Sequence, residues 1–380
     1  MKLSELRARE ALDDRLEATL LSCIRMDAGY GSGKGEEVSG LWYEHPFFSV
    51  FVKRGFCEEG RRYLRSQYMY SPVRRRRVVQ AATVGLMSAG PVFDRSLRAG
   101  VSLPDGDAPE HQMWMIGNHR VRRFDFSRGV VHVYPKSGFS DEGICREIAF
   151  RKSVQRDWML PLLSSEGAMF AEPLLEAVPL DRVPGDAKRE AALEAAVSAV
   201  ESLNEIERHT VSSADYLAVM REEYGALKAR VHARFPGLEL SRVDEMFASA
   251  AQVIARARAV EVGMTHGDFQ PGNVLVPRGS EGAVRLIDWE DVRERASIYD
   301  VLTWRLQSRR PSGLCARVRS FLASGDISPF RLPCSVELAV ALWAVEEWRW
   351  LLESNSREGI ARVPQGLILQ FAELNAFFRK

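Results

Sequence analysis

The fold is decided by the stretch Thr265–Asp291, which reads THGDFQPGNVLVPRGSEGAVRLIDWED. Its apolar runs Val274–Val276 and Val284–Ile287 are separated by Pro, Gly and Ser residues, a pattern that predicts two short strands joined by a turn. Asn273 comes directly before the first strand and Asp288 directly after the second. Because these two ends of a hairpin meet, we predict that Asn273 and Asp288 lie at the same edge.

Three polar side chains of this stretch suit the transfer of a phosphoryl group from a metal-bound nucleotide. That reaction requires an oriented acceptor hydroxyl, a group that accepts its proton, and Mg²⁺ to neutralise the phosphate charge. Asp268 fits the proton acceptor, and Asn273 and Asp288 fit the metal ligands, because Mg²⁺ takes few ligands from a protein. The Pro-Gly pair before Asn273 excludes a helix, so the loop can turn both side chains toward one point. The plainer alternative is that Asp268 caps a turn and Asp288 only ends a strand.

The order of these residues resembles the catalytic core of the aminoglycoside phosphotransferase and choline kinase families. The residues that carry the likeness are His266, Asp268, Asn273, Asp288, Trp289 and Glu290. The resemblance implies an α+β, bilobal protein-kinase-like fold, with a small N-terminal antiparallel-sheet lobe and a larger, mainly helical C-terminal lobe. It also implies ATP and Mg²⁺ as cofactors, and it gives His266 the role of supporting the backbone of the catalytic loop.

Eleven residues separate Asp288 from Asp300, which resembles the structural aspartate that these families place behind the catalytic loop. So short an interval leaves no room for a long activation segment. The resemblance is therefore to kinases of small molecules or saccharides rather than to protein kinases that act on Ser or Thr. Three arginines follow shortly after, and none of them indicates one acceptor: Arg305, Arg309 and Arg310.

Upstream of this stretch, three strands are predicted at Met113–Ile116, Arg120–Phe126 and Val130–Tyr134. The dipeptide Gly117-Asn118 suits a tight turn between the first two strands, because both residues tolerate positive φ. Such a hairpin can lie over nucleotide phosphates, or it can be one part of an ordinary meander. The sequence leaves both interpretations open.

The resemblance also implies a lysine on the third strand that contacts the α- and β-phosphates and pairs with a glutamate on the next helix. Glu147 is the natural glutamate. By strand alternation His132 takes the lysine position, with Val130 as the roof over the adenine, whereas Lys136 would share a face with the bulky Tyr134. Either Lys136 reaches back from the strand end or His132 replaces the lysine. The plain alternative is that Lys136 is a solvated turn residue.

The segment Gly167–Leu175 resembles the strand and hinge that join the two lobes, where backbone groups of Glu172, Pro173 and Leu174 would hold the adenine edge. Farther along the chain, apolar residues recur at helical spacing in several stretches, including residues 213–232. The chain is therefore predicted to divide into residues 1–104, an accessory region that is partly helical, basic and aromatic-rich; residues 105–175, the nucleotide-binding lobe and hinge; and residues 176–380, the catalytic lobe.

The composition indicates an ordinary enzyme. Of 380 residues 46% are hydrophobic and the net charge is +1, so the chain can build substantial cores but is no general binder of nucleic acid. Its five cysteines are scattered without a C-x-x-C pair, which argues against disulfides and structural zinc. The N-terminus is densely charged and carries no signal-peptide pattern. We therefore predict a cytoplasmic protein with no obligate protein partner.

Between residues 51 and 80 there are nine Lys or Arg but only two Glu, and the basic residues include the run Arg74–Arg77. The plainer interpretation is a helix whose first turn is basic and whose remainder packs in a core. The alternative is a surface that contacts an anionic membrane at its inner face, or an envelope glycan, with help from nearby aromatic residues. These aromatic residues are Trp42, Tyr43, Phe47, Phe48 and Phe51.

The glycine-rich stretch Gly29–Gly35 resembles a phosphate-binding loop. A Walker motif, however, needs Ser or Thr after Lys34, where this chain has Gly35. A flexible linker is therefore predicted instead.

The sequence as a whole predicts an ATP- and Mg²⁺-dependent phosphotransferase that acts on a hydroxyl of a small molecule or saccharide. A cell-envelope glycan or a lipid-linked sugar is included among the acceptors. The alternative is a catalytically impaired pseudokinase that serves as a nucleotide-responsive interaction module. The histidine at position 132 favours this alternative, whereas the presence of Asp268, Asn273 and Asp288 together argues against it.

Overall fold

The computed structural model describes residues 3, 6–7, 12–30, 39–69, 74–105, 107–279, 282–310, 312–356 and 373–378. The chain divides into two compact units. The first unit consists of Met1–Arg189 and Leu275–Glu290, and the second of Glu190–Val274 and Asp291–Lys380. The glycine-rich stretch from residue 31 onward lies outside the described residues, as do the side chains of residues 74–76.

An eight-stranded antiparallel sheet forms the centre of the first unit. Its strands are β1 (Ser39–His45), β2 (Val50–Val52), β3 (Arg98–Pro104), β4 (Gln112–Ile116), β5 (Arg120–Asp125), β6 (Val130–Pro135), β7 (Ser164–Glu166) and β8 (Met169–Pro173). They lie in the order β3-β1-β2-β4-β5-β6-β8-β7. The three strands predicted from the sequence are confirmed as β4, β5 and β6. Strands β1 to β3 come from the predicted accessory region, and they extend the sheet of the predicted nucleotide-binding lobe.

Helices cover both faces of this sheet. They are α1 (Leu12–Tyr30), α2 (Glu58–Tyr68), α3 (Arg74–Met87), α4 (Gly90–Arg95) and α5 (Glu142–Ser153). On one face, leucines spaced four residues apart on α1, Leu16 and Leu20, join a buried cluster with Trp114 of β4 and Tyr134 of β6. The helical spacing of the leucines thus directs one stripe of α1 onto the sheet.

The opposite face of the sheet packs against α5. Here Ile144 and Ile148 join a second buried cluster with Val131 and Val133 of β6 and with Phe124 of β5. Because side chains alternate along a strand, odd-numbered residues of β6 and even-numbered residues of β5 face α5. The other residues of both strands face α1.

Most of the predicted aromatic surface is interior. Trp42, Phe48 and Phe51 are at most 1% exposed and belong to the two clusters that flank the sheet. Trp42 of β1 and Phe51 of β2 pack in the cluster on the α1 side of the sheet, and Phe48, in the turn between these strands, packs in the cluster on the α5 side. The prediction that these rings line a membrane or glycan surface was therefore wrong for these three residues, whereas Phe47 is 37% exposed.

Helix α3 contains the predicted basic first turn, and only part of its remainder packs in a core. Val84 is fully buried. Val78, Val79 and Leu86 are 76%, 67% and 59% exposed, respectively. The prediction that the apolar remainder of this helix is interior thus fails for these three side chains.

A second, three-stranded sheet in the first unit contains the predicted hairpin. Its strands are β9 (Ala177–Pro179), β12 (Val274–Pro277) and β13 (Arg285–Leu286), in the order β13-β12-β9. The hairpin of β12 and β13 is confirmed. The amide of Leu286 donates to the carbonyl of Trp158 (2.7 Å), which ties β13 to the segment after α5.

The second unit is mainly helical. Its helices are α6 (Asp186–Asn204, which begins in the first unit), α7 (Ser213–Arg234), α8 (Ser241–Ala255), α9 (Tyr299–Arg305), α10 (Leu314–Ser324) and α11 (Val336–Ser356). A small sheet of β10 (His209–Ser212), β11 (Ala259–Thr265) and β14 (Arg293–Ala296) accompanies them. Helix α11 packs against α7, α8 and α9 and buries Trp343 and Trp348 completely. The predicted α+β fold class, an antiparallel-sheet unit and a mainly helical unit, is confirmed.

None of the helices in the described part of the chain is both long and apolar enough to span a lipid bilayer.

Candidate active site

The loop of residues 266–273 follows β11 and is anchored by Asp300, at the start of α9. The backbone amide of His266 donates to Oδ2 of Asp300 (2.6 Å), and that of Gly267 donates to Oδ1 (3.0 Å). The Asp300 side chain is fully buried. Gly267 has a φ of 86°, and a Cβ there would collide with the carbonyl of Asp291, so the turn requires glycine. Asp300 therefore occupies the place behind the loop that the resemblance implied.

The carboxylate of Asp268 accepts hydrogen bonds at both oxygens. Oδ1 accepts from Nε of Arg309 (2.6 Å), and Oδ2 accepts from Nε2 of Gln270 (2.9 Å) and Nδ2 of Asn273 (2.8 Å). The same Nδ2 donates to the backbone carbonyl of Asp268 (2.9 Å), because the 3-10 turn Pro271–Asn273 folds the loop back on itself. The structure thus brings Asp268 and Asn273 together.

Burial raises the pKa of the Asp268 carboxyl above its ordinary value of 3.8, while the positive charge of Arg309 acts in the opposite direction. The neighbouring His266 is fully buried, and its Nδ1 accepts a hydrogen bond from the amide of Asp268 (3.3 Å). This contact is consistent with a supporting role for His266 in the loop.

Arg309 is the side chain that holds Asp268 from outside the loop. Its guanidinium also donates to Glu347 and to the carbonyl of Gly267 (2.8 Å), and it lies 3.5 Å from the ring centre of Trp350. Nearby carboxylates, that of Glu347 first, hold the pKa of Arg309 above its ordinary range although burial opposes this. A guanidinium fixed on four sides holds the Asp268 carboxylate in one orientation.

The hairpin of the first unit ends in a second group of charged residues. Asp288 follows β13 with a φ of 68°, in the left-handed region that few residues other than glycine adopt. Its Oδ1 is ion-paired with Arg122 and lies 3.4 Å from Nη1 of Arg120. Arg120 in turn donates to Glu290 (2.9 Å). The carboxylate predicted to bind the metal is thus held by two arginines of β5.

Trp289, between these two acidic residues, is a packing residue. Its side chain is 1% exposed, lies between the rings of Phe150 and Trp158, and donates from Nε1 to the carbonyl of Leu286 (3.0 Å). Burial of this large ring fixes the chain on either side of it, and therefore the backbone of Asp288 and Glu290.

Glu147 of α5 is fully buried and bridges two arginines. Its Oε2 accepts from Nη1 of Arg120 (2.8 Å) and its Oε1 from Nη1 of Arg151 (2.9 Å). Arg151 also pairs with Glu172 (2.8 Å). The cations that contact Glu147 are therefore Arg120 of β5 and Arg151 of α5 itself.

The predicted phosphate-contacting candidates, His132 of β6 and Lys136 just after it, have the following contacts. His132 and Val130 are even-numbered residues of β6, so they face α1, and the His132 ring stacks near Tyr134 at 6.3 Å. Lys136 is 1% exposed, donates from Nζ to the carbonyl of Gly117 (3.2 Å) and lies over Phe139. The interpretation of Lys136 as a solvated turn residue was therefore wrong.

Of the predicted hinge residues, Glu172 and Pro173 end β8 and Leu174 follows it. The amide of Leu174 donates to the carbonyl of Gly129 (2.8 Å), and Pro173 pairs with Val130 across the β6–β8 ladder. Burial raises the pKa of Glu172, although its partner Arg151 opposes this shift. The side chain of Glu172 thus belongs to the charged network of Glu147 and Arg151.

The sequence did not indicate the roles of three arginines of these sites: Arg120, Arg122 and Arg309. The alternation of β5 could have indicated Arg120 and Arg122, because both lie on the same face of the strand as the apolar Phe124. Two charged residues on a buried face need charged partners, which marks them as members of a polar site. No local pattern indicates Arg309, since it lies 41 positions from Asp268.

Residues 155–320 match the model of the phosphotransferase enzyme family (APH). The resemblance to that family is confirmed. The matched segment includes the 266–273 loop, the hairpin, and Asp300. The predicted protein-kinase-like fold and the predicted enzyme class, a phosphotransferase with an alcohol group as acceptor, are borne out by this match.

Among solved structures, the chain is similar to three kinases at low identity. The choline kinase LicA from Streptococcus pneumoniae is 13% identical, with a TM-score of 0.45 and coverage of 72% of this chain and 92% of that chain. A thermostable mutant of the aminoglycoside phosphotransferase APH(4)-Ia is 12% identical, with a TM-score of 0.44 and coverage of 70% and 94%. The Plasmodium vivax ethanolamine kinase is 11% identical, with a TM-score of 0.45 and coverage of 86% and 97%. A search of curated proteins returned no match.

Proposed function

We propose that this phosphotransferase uses ATP and Mg²⁺ to phosphorylate a hydroxyl of a small molecule or saccharide. The observation that carries the proposal is the set of hydrogen bonds that positions the Asp268 carboxylate. Its carboxylate is positioned by Arg309, Gln270 and Asn273, in a loop whose backbone amides are bound by Asp300. A carboxylate held in this way is suited to orient an acceptor hydroxyl and take its proton.

Asp268 retains capacity for one more hydrogen bond. An ionised carboxylate offers about four acceptor positions, and Arg309, Gln270 and Asn273 use three of them. The remaining position suits the acceptor hydroxyl, whose proton passes to Asp268 as the oxygen attacks phosphorus. Burial raises the proton affinity of this carboxyl, which favours that transfer.

The ligand atoms offered by the chain fit Mg²⁺. Because Nδ2 of Asn273 faces the Asp268 carboxylate, the atom that Asn273 offers to a metal is its amide oxygen. Asp288 offers a carboxylate, and both are the oxygen ligands that this hard cation prefers. Bound Mg²⁺ would neutralise phosphate charge. In this proposal Asn273 and Asp288 hold the ion. Residues 105–175 bind the nucleotide through the hinge at Glu172 and Leu174, and Val130 and His132 belong to the same lobe.

A nucleotide titration followed by an acceptor screen tests the proposal. Isothermal titration should show that Mg²⁺ tightens the binding of ADP and of a non-hydrolysable ATP analogue. ADP release should then depend on one acceptor among sugars, amino-alcohols and aminoglycosides, and mass spectrometry should show a gain of one phosphoryl group on it. Absence of nucleotide binding would contradict the proposal, whereas Mg²⁺-dependent binding without transfer to any acceptor would favour the pseudokinase alternative.

Exposed apolar residues of α3 favour a second function, peripheral binding to an anionic membrane. Val78, Val79 and Leu86 are exposed apolar residues of a helix that begins with the run Arg74–Arg77. Exposed apolar side chains beside basic ones suit the surface of an anionic bilayer. We propose that α3 contacts the inner face of such a membrane. Vesicle flotation should show binding to anionic but not to zwitterionic vesicles, and Val78→Asp with Val79→Asp should abolish it; equal binding to both vesicle types would contradict the assignment.

A further inference from the structure

We infer that Arg120, the first residue of β5, is the cation that binds the α- and β-phosphates of the nucleotide. This inference rests on the proposed function and assigns one residue of it. It differs from the expectation drawn from the sequence, which placed the cation at His132 or Lys136. Four observations on the first unit carry it.

The position of Arg120 in the sheet is the first observation. Arg120 follows the turn between β4 and β5, where the amide of Gly117 donates to the Arg120 carbonyl (2.8 Å). A Cβ on Gly117 would lie 3.0 Å from the Arg120 carbonyl oxygen, so glycine lets the turn close on Arg120. The Arg120 guanidinium therefore lies at the base of the turn that would cover the phosphates of a nucleotide.

The face of the strand is the second observation. Arg120 shares the face of Phe124, and Phe124 packs in the same buried cluster as Ile144 and Ile148 of α5. His132 faces the opposite side of the sheet, next to Tyr134. The ladder of β5 and β6 pairs Arg120 with Pro135 and Arg122 with Val133, so the corresponding positions of β6 carry no charge. On the α5 side of the sheet the cation therefore lies on β5, one strand away from the position on β6 that the resemblance implied.

The partners of Arg120 are the third observation. Its guanidinium pairs with Glu147 of α5 (2.8 Å) and with Glu290 (2.9 Å), and it lies 3.4 Å from Asp288. Glu147 is the residue that the resemblance paired with the phosphate-binding cation. Glu290 and Asp288 flank the end of the hairpin. One guanidinium thus connects α5 to the predicted metal ligand, and its pairing with Glu147 corresponds to the ion pair of the phosphate-binding lysine with a helix glutamate in protein kinases.

The charge balance is the fourth observation. Four carboxylates, those of Glu147, Glu172, Asp288 and Glu290, share three arginines, Arg120 and Arg122 of β5 and Arg151 of α5. If Asp288 binds a metal ion, Arg120 keeps Glu147 and Glu290 as partners and stays in the same position. The Arg120 side chain is 5% exposed and is ion-paired with Glu147 and Glu290. A charged, fixed and multidentate donor suits two adjacent phosphate groups.

The test compares ligands that differ only in their phosphates. Adenosine, AMP and ADP are titrated calorimetrically, with and without Mg²⁺, into the full-length protein and into Arg120→Met and Arg120→Lys. A lost phosphate contact lowers ADP affinity in Arg120→Met by about tenfold to a hundredfold. Adenosine affinity should change by less than about twofold, because adenosine has no phosphate. Arg120→Lys should recover part of the loss, since it keeps the charge but not the planar fork.

Two controls separate the phosphate contact from general damage to the lobe. Arg123→Met removes an arginine of the same strand that faces the other way, over Trp114, and it should leave both affinities unchanged. Because Arg120→Met leaves buried carboxylates without their cation, the double variant Arg120→Met, Glu147→Gln relieves that charge. It should still lose the preference for ADP over adenosine.

The outcomes distinguish this assignment from the proposed function. A native protein that binds ADP no more tightly than adenosine overturns both. A native preference for ADP that persists in the double variant overturns the assignment of Arg120 alone. A preference lost in His132→Ala or Lys136→Met, but kept in Arg120→Met, would return the role to the residue concerned.

Discussion

Exchanging Asp300 for asparagine should loosen the 266–273 loop by an amount that follows from two hydrogen bonds. The Asp300 carboxylate is fully buried and accepts the amides of His266 at 2.6 Å and Gly267 at 3.0 Å. Asparagine keeps one acceptor oxygen but turns an NH₂ group toward the other amide. One buried donor loses its acceptor and the remaining hydrogen bond loses its charge assistance, which together should cost about 2–4 kcal/mol.

Amide hydrogen exchange measures this cost where it arises. At this cost, exchange of the His266 and Gly267 amides should accelerate about 30-fold to 1,000-fold in Asp300→Asn. A matched control is Glu194→Gln, the same carboxylate-to-amide exchange on an exposed position of α6, which should leave these amides unchanged. Acceleration below about fivefold, or equal acceleration in the control, would show that Asp300 does not anchor the loop.

Four further predictions concern the two carboxylates expected to take part in the reaction. Asp268→Asn should lower turnover of the identified acceptor by about 10²–10⁴ and leave ADP affinity nearly unchanged, and steady-state kinetics with calorimetry checks this. Because the pKa of Asp268 is raised by burial and the base must be ionised, turnover should fall with decreasing pH at a point above 3.8. Arg309→Gln removes a charge that lowers this pKa, so the acidic limb of the kcat–pH profile should move to higher pH; a shift to lower pH would contradict the role of Arg309. Asp288→Asn should abolish the Mg²⁺-dependent part of ADP affinity, and calorimetry with and without Mg²⁺ should show whether it does.

Local chemistry predicted the loop, the hairpin and the central strands well. The Pro-Gly pair before Asn273 and the turn residues between β12 and β13 determine their own backbone, whatever surrounds them. Strands β4 to β6 were identifiable because their apolar residues and the intervening Gly-Asn and Arg-Gly turns lie close in sequence. These features depend on contacts over a few residues, which a single sequence contains.

The sequence could not show what depends on distant partners. Strands β1 to β3 join the sheet through β2, which pairs with β4 some sixty positions later, and no local signal specifies that neighbour. The orientation of β6 could not be read from the sequence for a related reason. Its residues Val130 to Tyr134 are nearly all apolar, so alternation alone does not tell which side faces α5. Buried Val131 and Val133 settle the face only once Ile144 and Ile148 are placed against them.

The two carboxylates differ in how firmly arginine holds them, and this difference matches their proposed roles. Arg309 is 13% exposed, and besides Asp268 it binds Glu347 and the Gly267 carbonyl and stacks on Trp350. Separating it from Asp268 would therefore leave a buried carboxylate without its cation, which is costly. Arg122 and Asp288 are 23% and 29% exposed, so solvent weakens their attraction and lowers the cost of separating them. Asp268 should therefore keep its arginine during proton transfer, as a fixed base requires. Asp288 can exchange an arginine for a metal ion at small cost, as a ligand that engages only with the nucleotide requires.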